Sequence, residues 1–366
     1  MIDLLSRLRF GSNLFALALA SLLSSCSSLA APEPAHSAGT LLVVGGGLED
    51  DARAVYERLL TLASAHGPAR IVIATAATGE QEVEVADKTG ALRSWAPDVQ
   101  IDVIRRETPT DATVAAIDAA SALLFTGGDQ QRITDRYRPG ERETPEWLAM
   151  RRLLARGGVI AGCSAGDAMM GQRMLLGGGS ATALGIGTPS ADAPLGPRVG
   201  PGMGFVPWVI TDSHFFERDR VGRLVAALES SGRRLGIGVG EDACVEIDLA
   251  SGVLTGVSPS EALLVDVAHL ERADLARRGV LARLIGPGER VSLVQRLESQ
   301  PPAPPARPAG APREVPVVEP GQNRQLASWR LFREARTGPA QLALEDWRAI
   351  AWPAGDGEIA FDLEPR

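Results

Sequence analysis

Residues 158–166 read GVIAGCSAG, an apolar run that ends in a G-x-S-x-G pattern, with helix-forming residues directly after it. A buried strand that turns tightly into a helix is the arrangement of a nucleophile elbow, in which small neighbours let the backbone turn and leave the serine exposed. Ser164 is therefore a candidate covalent catalyst. The pattern alone is weak, because small residues between a strand and a helix also serve close packing.

Short apolar runs alternate with amphipathic stretches on both sides of this turn. Their hydrophobicity is continuous, which is typical of strands buried on both faces of a parallel sheet. The predicted strands are 40–44, 70–74, 101–104, 122–125, 159–163, 205–211, 235–239 and 243–247, the predicted helices are 50–65, 144–154 and 217–228, and 177–204 is predicted to be a long loop. The sequence predicts an α/β fold: a three-layer, doubly wound, mostly parallel sheet with short antiparallel edge strands at 253–257 and 262–267.

The chain divides by composition after this region. Residues 40–285 carry the alternating pattern and include Ser164, so we expect them to form a catalytic domain, and residues 300–322 form a proline-rich linker that we expect to be extended or disordered. The remaining stretch, 323–366, holds Trp329, Trp347 and Trp352. So many tryptophans in a short segment indicate that it packs on something, either the enzyme itself or as a small module of its own.

The first 31 residues have the layout of an export signal. Arg7 and Arg9 precede an apolar run at 14–23, and Leu23-Ser24-Ser25-Cys26 reads as a bacterial lipobox. We expect residues 1–31 to be this signal, Cys26 to be lipidated and residues 32–39 to form a tether to the membrane. The alternative is an ordinary secretory signal cleaved near Ala30 or Ala31. The protein would then be a periplasmic or outer-membrane lipoprotein, or a secreted protein.

Composition excludes several classes of partner and cofactor. The net charge of −8 comes with no long basic run, which argues against nucleic acid. The four histidines and three cysteines show no pairs at ligand spacing, so we expect no metal and no cofactor. Cys163 and Cys244 lie in strand-like runs and are interpreted as small buried hydrophobic residues.

A serine nucleophile needs a general base and main-chain donors for the oxyanion. Among the histidines, His214 directly follows an apolar strand, at the edge where doubly wound sheets build their sites. A partly buried histidine with a structural hydrogen bond is the alternative. Gly127 and Gly128 follow another strand and can present main-chain amides, although glycine pairs are also ordinary turn residues.

Together these pieces resemble peptidase family S51, the cyanophycinases and aspartyl dipeptidases. The matching segments occur in family order and are Gly45-Gly46-Gly47, Phe125-Thr126-Gly127-Gly128-Asp129-Gln130, Gly162-Cys163-Ser164-Ala165-Gly166, Asp212-Ser213-His214-Phe215 with Arg218, Arg220, Gly222, Arg223 and Leu224, and Gly236-Ile237-Gly238-Val239-Gly240-Glu241-Asp242. The segments 218–224 and 236–242 favour the cyanophycinase branch.

The resemblance implies a flavodoxin-like sheet, as in class I glutamine amidotransferases, and a triad of Ser164 as nucleophile, His214 as base and Glu241 as orienting acid. It implies oxyanion amides at Gly128 and Ala165. The substrate-binding residues would be Asp129, Gln130, Asp212, Ser213, Arg218 and Arg223, with the two arginines holding substrate carboxylates. The implied substrate is cyanophycin, a poly-aspartate chain with arginine on each side-chain carboxyl, cleaved to β-aspartyl-arginine. The resemblance leaves open whether the protein forms a homodimer.

Some positions depart from the family pattern. Cys163 stands where threonine or serine is usual, Ser213 where glutamine is common and Gly240 where an aspartate is usual. Small β-aspartyl peptides are therefore an alternative substrate, and Asp192 is a second candidate for the orienting acid. A different alternative is a surface lipoprotein that uses the fold as a binding module without catalysis.

Overall fold

The computed structural model describes residues 38–190, 194–317 and 327–366. The expected export signal at 1–31, Cys26 and Asp192 lie outside these residues. The helices are α1 (Arg53–Ala63), α2 (Gln81–Trp95), α3 (Thr110–Ala119), α4 (Gln130–Tyr137), α5 (Pro145–Ala155), α6 (Ala165–Ala168), α7 (Ser180–Ala183), α8 (Val221–Ser231), α9 (Leu293–Glu298) and α10 (Ala327–Ala335).

The strands are numbered in chain order, and within the described residues they form two large sheets and one two-stranded sheet. They are β1 (Thr40–Val44), β2 (Arg70–Ala74), β3 (Gln100–Ile104), β4 (Ala122–Phe125), β5 (Val159–Cys163), β6 (Arg173–Gly177), β7 (Arg198–Pro201), β8 (Val209–Asp212), β9 (Leu235–Val239), β10 (Cys244–Asp248), β11 (Val253–Gly256), β12 (Ala262–Asp266), β13 (Glu271–Ala273), β14 (Ala276–Ile285), β15 (Arg290–Ser292), β16 (Arg313–Glu314), β17 (Ala340–Ala343), β18 (Trp347–Gly355) and β19 (Glu358–Pro365).

The first sheet has the strand order β15-β11-β10-β1-β5-β4-β2-β3. The strands from β1 to β3 in that order are parallel, and β10, β11 and β15 are antiparallel additions. Side chains of β1 alternate between two buried clusters, with Leu41 and Val43 on one face and Leu42 and Val44 on the other. Helices α1 and α2 pack on the second face, and α3, α4 and α5 on the first. This is the predicted three-layer α/β arrangement.

The second sheet is larger than the short antiparallel edge that the sequence predicts. Its order is β16-β17-β18-β19-β14-β12-β9-β8, with β13 paired to β14. Strands β8 and β9 are parallel to each other, and most of the other pairs are antiparallel. Strands β8 and β9, expected in the main parallel sheet, belong here instead, because β9 pairs with β12 on its other side.

The C-terminal stretch packs on the rest of the chain rather than forming a separate module. Strand β19 pairs with β14, and Trp347 and Trp352 are both buried. Phe332 of α10 makes an edge-to-face contact with Phe361 of β19, with ring centroids 5.2 Å apart. The described part of the proline-rich linker lies against this sheet, since Trp352 Nε1–H donates to the Pro305 carbonyl at 3.0 Å.

Other segments differ from the sequence-based prediction. The glycine-rich stretch 177–204 contains α7 and β7, and β7 pairs antiparallel with β6, which the irregular hydrophobic pattern of this stretch did not indicate. Strand β8 begins only at Val209, after Pro207, because proline cannot donate to a ladder. Helix α8 begins at Val221 because the preceding turn holds His214 and Asp219 at positive φ. Among the described residues, no helix is long and apolar enough to cross a membrane.

Candidate active site

Ser164 lies on the turn between β5 and α6, as the G-x-S-x-G pattern predicts. Its φ of 54° and ψ of −99° are unusual for a residue with a side chain, and such strain is typical of functional turns. The turn is tight: a Cβ at Gly162 would lie 2.2 Å from the Gly166 carbonyl oxygen. The Ser164 main-chain N–H donates to the Val44 carbonyl at 2.9 Å, which fixes the turn to β1.

His214 stands immediately after β8 and faces this serine. Its Nε2 lies 2.7 Å from Ser164 Oγ, and its Nδ1 lies 2.6 Å from Glu241 Oε1. A carboxylate can only accept, so Nδ1–H donates to Glu241 and Nε2 is left to accept the serine proton. The three side chains therefore form one hydrogen-bonded chain, with the geometry expected of a serine nucleophile, its histidine base and an orienting acid.

The glycine triplet after β1 lies directly beneath this chain. A Cβ at Gly46 would be 2.3 Å from His214 Cε1, so any side chain there would displace the imidazole. The His214 main-chain N–H donates to the Gly45 carbonyl at 2.7 Å, and the Asp242 N–H donates to Gly46 at 3.2 Å. The sequence marks the triplet as a turn, but its contact with the histidine depends on the packing of β1 against the segments after β8 and β9.

The second glycine turn, Gly127-Gly128, borders Ser164. A Cβ at Gly127 would meet Ser164 Cβ at 3.6 Å, which places this turn against the serine. Ala165 is the first residue of α6, so its N–H has no intrahelical partner, as an oxyanion donor requires. Gly128, which follows Gly127 in the glycine turn, has a φ of 135°. The predicted oxyanion residues therefore lie on the two segments that meet at Ser164.

The predicted cleft residues Asp129 and Gln130 bind main-chain groups of the protein. Asp129 caps α4, because its Oδ1 accepts from the Gln131 N–H at 2.8 Å. Gln130 Nε2 donates to the Leu175 carbonyl at 2.6 Å. Both side chains thus hold the turn and the β6 segment in place.

Asp212 and Arg223 are not at the surface of the cleft, which corrects the expectation that they bind substrate. Asp212 is fully buried and Arg223 is 4% exposed. Arg223 Nε donates to Asp212 Oδ2 at 2.8 Å, its Nη2 donates to Oδ1, and its Nη1 donates to the Gly178 carbonyl. A buried bidentate pair of this kind leaves neither ionic group for a ligand, because breaking it would strand the other charge.

The neighbouring polar residues divide between this network and solvent. Ser213 is buried, its carbonyl accepts from Arg220 Nη1, and its Oγ lies 3.5 Å from the same nitrogen, so its side chain also faces the network. Arg218 is exposed and lies near His214, where its charge contributes to lowering the pKa of the imidazole. Of the two arginines predicted to bind substrate, Arg218 is the one whose guanidinium is accessible. Arg220 is a partly buried residue that binds Asp212 and the Ser213 carbonyl, and the sequence did not distinguish it from surface charge.

The electrostatics favour the neutral form of His214. Burial is the largest effect on His214 and lowers its pKa, although the hydrogen bond to Glu241 acts in the opposite direction. A second carboxyl, Glu217, was not predicted from the sequence. Burial, together with the charges of Glu241 and Asp242, raises the pKa of Glu217 to about 7.

The described residues contain no group of three or more His, Cys, Asp or Glu side chains that could hold a metal ion. Cys163 and Cys244 are free and buried, on strands that flank Val44 from opposite sides. Burial raises the pKa of the Cys163 thiol to about 11, which keeps it protonated at neutral pH.

Comparison with known proteins places this site in a family. The sequence profile of peptidase family S51 matches residues 41–251. The cyanophycinase of Nostoc sp. (strain PCC 7120) is 30% identical over 275 residues, which cover 70% of this chain and 87% of that protein. The cyanophycinase of Trichormus variabilis is 31% identical over 277 residues with the same coverage, 70% and 87%.

Structural comparison agrees on the fold. The crystal structure of a peptidase from an acI-B1 Actinobacterium has a TM-score of 0.52 to this chain at 20% identity, and covers 71% of this chain and 98% of its own. The α/β fold of flavodoxin type predicted from the sequence is confirmed. The profile spans more than half of the sequence and includes Ser164, His214 and Glu241. The chain belongs to peptidase family S51.

Proposed function

We propose that this peptidase is an exported serine-type exopeptidase that hydrolyses β-aspartyl linkages, with cyanophycin as its substrate and β-aspartyl-arginine as its product. The observation that carries the proposal is the hydrogen-bonded chain Ser164–His214–Glu241, with distances of 2.7 and 2.6 Å. Its catalytic roles follow from the chemistry of these groups.

In the first step, Ser164 Oγ attacks the carbonyl carbon of the scissile amide while His214 Nε2 takes the hydroxyl proton. Glu241 stabilises the imidazolium through Nδ1–H. The carbonyl oxygen becomes an oxyanion, and the N–H groups of Gly128 and Ala165 are its proposed donors. Preorganised donors of this kind lower the barrier because they stabilise charge that develops only in the transition state.

In the second step, the tetrahedral intermediate collapses and the C–N bond breaks. His214 returns its proton to the leaving amine, which leaves an ester between Ser164 and the acyl part of the substrate. Water then attacks the ester carbonyl and gives a proton to His214. Collapse of the second intermediate releases the acid, and Ser164 recovers its proton.

The substrate assignment rests on relatives named cyanophycinase, which match over 70% of this chain. Two local observations bear on it. Ser213 faces the buried network rather than a ligand, and the polar groups of Gln130 and Asp129 bind the main chain. Arg218 is the proposed contact for a substrate carboxylate, since it is exposed beside His214.

A substrate panel tests this assignment. Purified protein incubated with cyanophycin and with single β-aspartyl dipeptides should release aspartyl-arginine dipeptide from the polymer, measured by mass spectrometry. Cleavage restricted to small β-aspartyl peptides would contradict the polymer assignment in favour of a dipeptidase. No cleavage of either would favour a binding module.

Export and lipid anchoring are proposed from residues 1–31 of the sequence, with Cys26 as the lipidated residue. An extracellular or periplasmic address suits the use of polymer released by other cells. A lipid precursor should label the protein in bacterial cells, and Cys26→Ala should abolish the label. Equal labelling of both proteins would contradict the anchor.

A further inference from the structure

The turn that carries His214 runs from residue 214 to residue 220, between β8 and α8, and its backbone is unusual. His214 and Asp219 have positive φ values of 43° and 47°. Such conformations are uncommon for residues other than glycine, and they persist where surrounding contacts hold them. The position of the imidazole therefore depends on the contacts that fix this turn at both ends.

Hydrogen bonds to neighbouring strands and within the turn fix its first part. The His214 N–H donates to the Gly45 carbonyl at 2.7 Å, and the Phe215 N–H donates to the Val239 carbonyl at 3.1 Å. Further along, the Arg218 N–H donates to the His214 carbonyl at 3.2 Å. All these residues lie within 41–251, the part of the chain that matches the family profile.

The far end of the turn receives a contact from outside that part of the chain. Ser328 of α10 is buried, and its Oγ–H donates to Asp219 Oδ1 at 2.8 Å. The main chain of the same residue is also held, because the Asp219 carbonyl accepts from Ser180 Oγ–H of α7. Contacts from α7 and α10 therefore meet at the second residue of the turn that has a left-handed backbone.

Helix α10 is itself fixed in place, so Ser328 can act as an anchor. Phe332, one turn further along the helix, belongs to the same buried hydrophobic cluster as Phe215. Trp329 Nε1–H donates to Glu261 Oε2, immediately before β12, at 2.8 Å. A hydroxyl on a helix that is held in this way restrains the turn, whereas a hydroxyl on a loose segment would follow it.

We propose that Ser328 is a positioning residue for the base of the triad: through Asp219 it holds the turn that places His214 Nε2 against Ser164 Oγ. The inference rests on the proposed peptidase function, because it concerns the same triad. Small displacements of a catalytic group lower the rate even when their cause is remote from the chemistry. The C-terminal stretch then contributes to catalysis as well as to the second sheet.

Ser328→Ala tests this role, because it removes the hydroxyl and keeps a good helix former in α10. We expect kcat for a β-aspartyl peptide to fall about fivefold, which corresponds to the net contribution of one hydrogen bond. KM should change little, since Ser328 is buried. Labelling by a fluorophosphonate probe should slow by the same factor, because it depends on the same base.

Trp329→Phe is the matched control. It removes one hydrogen bond of the same helix, but that bond goes to Glu261 and not to the turn of His214. Thermal unfolding should show that both variants lose stability, whereas kcat should fall in Ser328→Ala alone. The comparison therefore separates a general loss of stability from a loss of positioning.

Asp219 provides a second check from the other side of the contact. Asp219→Asn keeps an acceptor oxygen and a residue type that tolerates the left-handed conformation, so kcat should stay within about twofold of the unsubstituted value. Asp219→Ala should lower kcat at least as much as Ser328→Ala does. Adding Ser328→Ala to Asp219→Ala should cost no further activity, because the partner of the hydroxyl is already gone.

An unchanged kcat in Ser328→Ala, an equal fall in Trp329→Phe, or additive losses in the double variant would overturn the positioning role. An unsubstituted protein that neither hydrolyses peptides nor reacts with the probe would instead overturn the proposed function. NMR signals of the His214 ring, assigned by their loss in His214→Asn, then still test the contact. They should shift in Ser328→Ala and not in Trp329→Phe, and identical signals in all three proteins would overturn the positioning role.

Discussion

Replacing Ser164 by alanine is expected to lower kcat/KM for the peptide substrate by about 10⁴-fold to 10⁶-fold, the range found when a nucleophile acts as a unit with its base. Alanine keeps the turn small but removes the Oγ that lies 2.7 Å from His214 Nε2. No covalent intermediate can then form. The residual rate should come from binding and from main-chain donors alone.

Two measurements check this expectation. Product release from the substrate gives the loss in rate, and a serine-directed fluorophosphonate probe reports the nucleophile directly. The unsubstituted protein should be labelled and Ser164→Ala should not. Ser230→Ala on α8 is the control, because Ser230 Oγ–H donates to a carbonyl of its own helix. An unlabelled native protein would contradict serine catalysis and favour a binding module.

The pH dependence of labelling carries a second expectation for the same site. His214 accepts the serine proton only when it is neutral, so the labelling rate should fall as the pH drops through its pKa. Burial lowers that pKa from the ordinary 6.5, so the midpoint should lie below pH 6.5. A midpoint above pH 6.5 would mean that the imidazole is less buried than the structure shows.

Glu241→Gln is expected to lower kcat by about 10²-fold to 10⁴-fold, with a smaller effect on KM. The carboxylate accepts from His214 Nδ1 at 2.6 Å and fixes both the tautomer and the ring. An amide can offer its NH₂ group in the same place, which would favour the wrong tautomer. It also lacks the negative charge that stabilises the imidazolium.

Steady-state kinetics at a pH well above the pKa of His214 measure this loss. Glu49→Gln is the matched control, since Glu49 is an exposed carboxylate on the same β1–α1 connection as the glycine triplet. Full activity of Glu241→Gln would show that another carboxylate orients the histidine. Asp192 would then be the next residue to replace.

Much of the fold could be predicted because its signals are local. The boundaries of β1, β2, β4, β5 and β9 agree residue for residue with the apolar runs, since a strand buried on both faces needs apolar residues at every position. The predicted helix boundaries agree less closely. The helix predicted at 217–228, for example, begins only at Val221, because a turn precedes it. Only the three-dimensional packing of that turn decides where the helix begins.

In the candidate site, too, some residues could be predicted from local sequence signals and others could not. Residue types at strand ends pointed to Ser164, His214 and Gly128, because turns and elbows require particular residues. The sequence could not tell a substrate-binding arginine from a structural one. Arg218, Arg220 and Arg223 lie within six residues of each other, yet one is exposed and the other two surround buried Asp212.

The sequence by itself therefore determined the α/β layering, the strand ends and the residue types that meet at Ser164, because hydrophobic periodicity and turn preferences depend on residues that are neighbours in the chain. Only the tertiary structure decided that Asp212 and Arg223 neutralise each other in the interior, that Glu217 lies beside Glu241, and that residues 327–366 complete the second sheet. These outcomes depend on contacts between distant segments, such as the pairing of β14 with β19, whose partners no local pattern specifies.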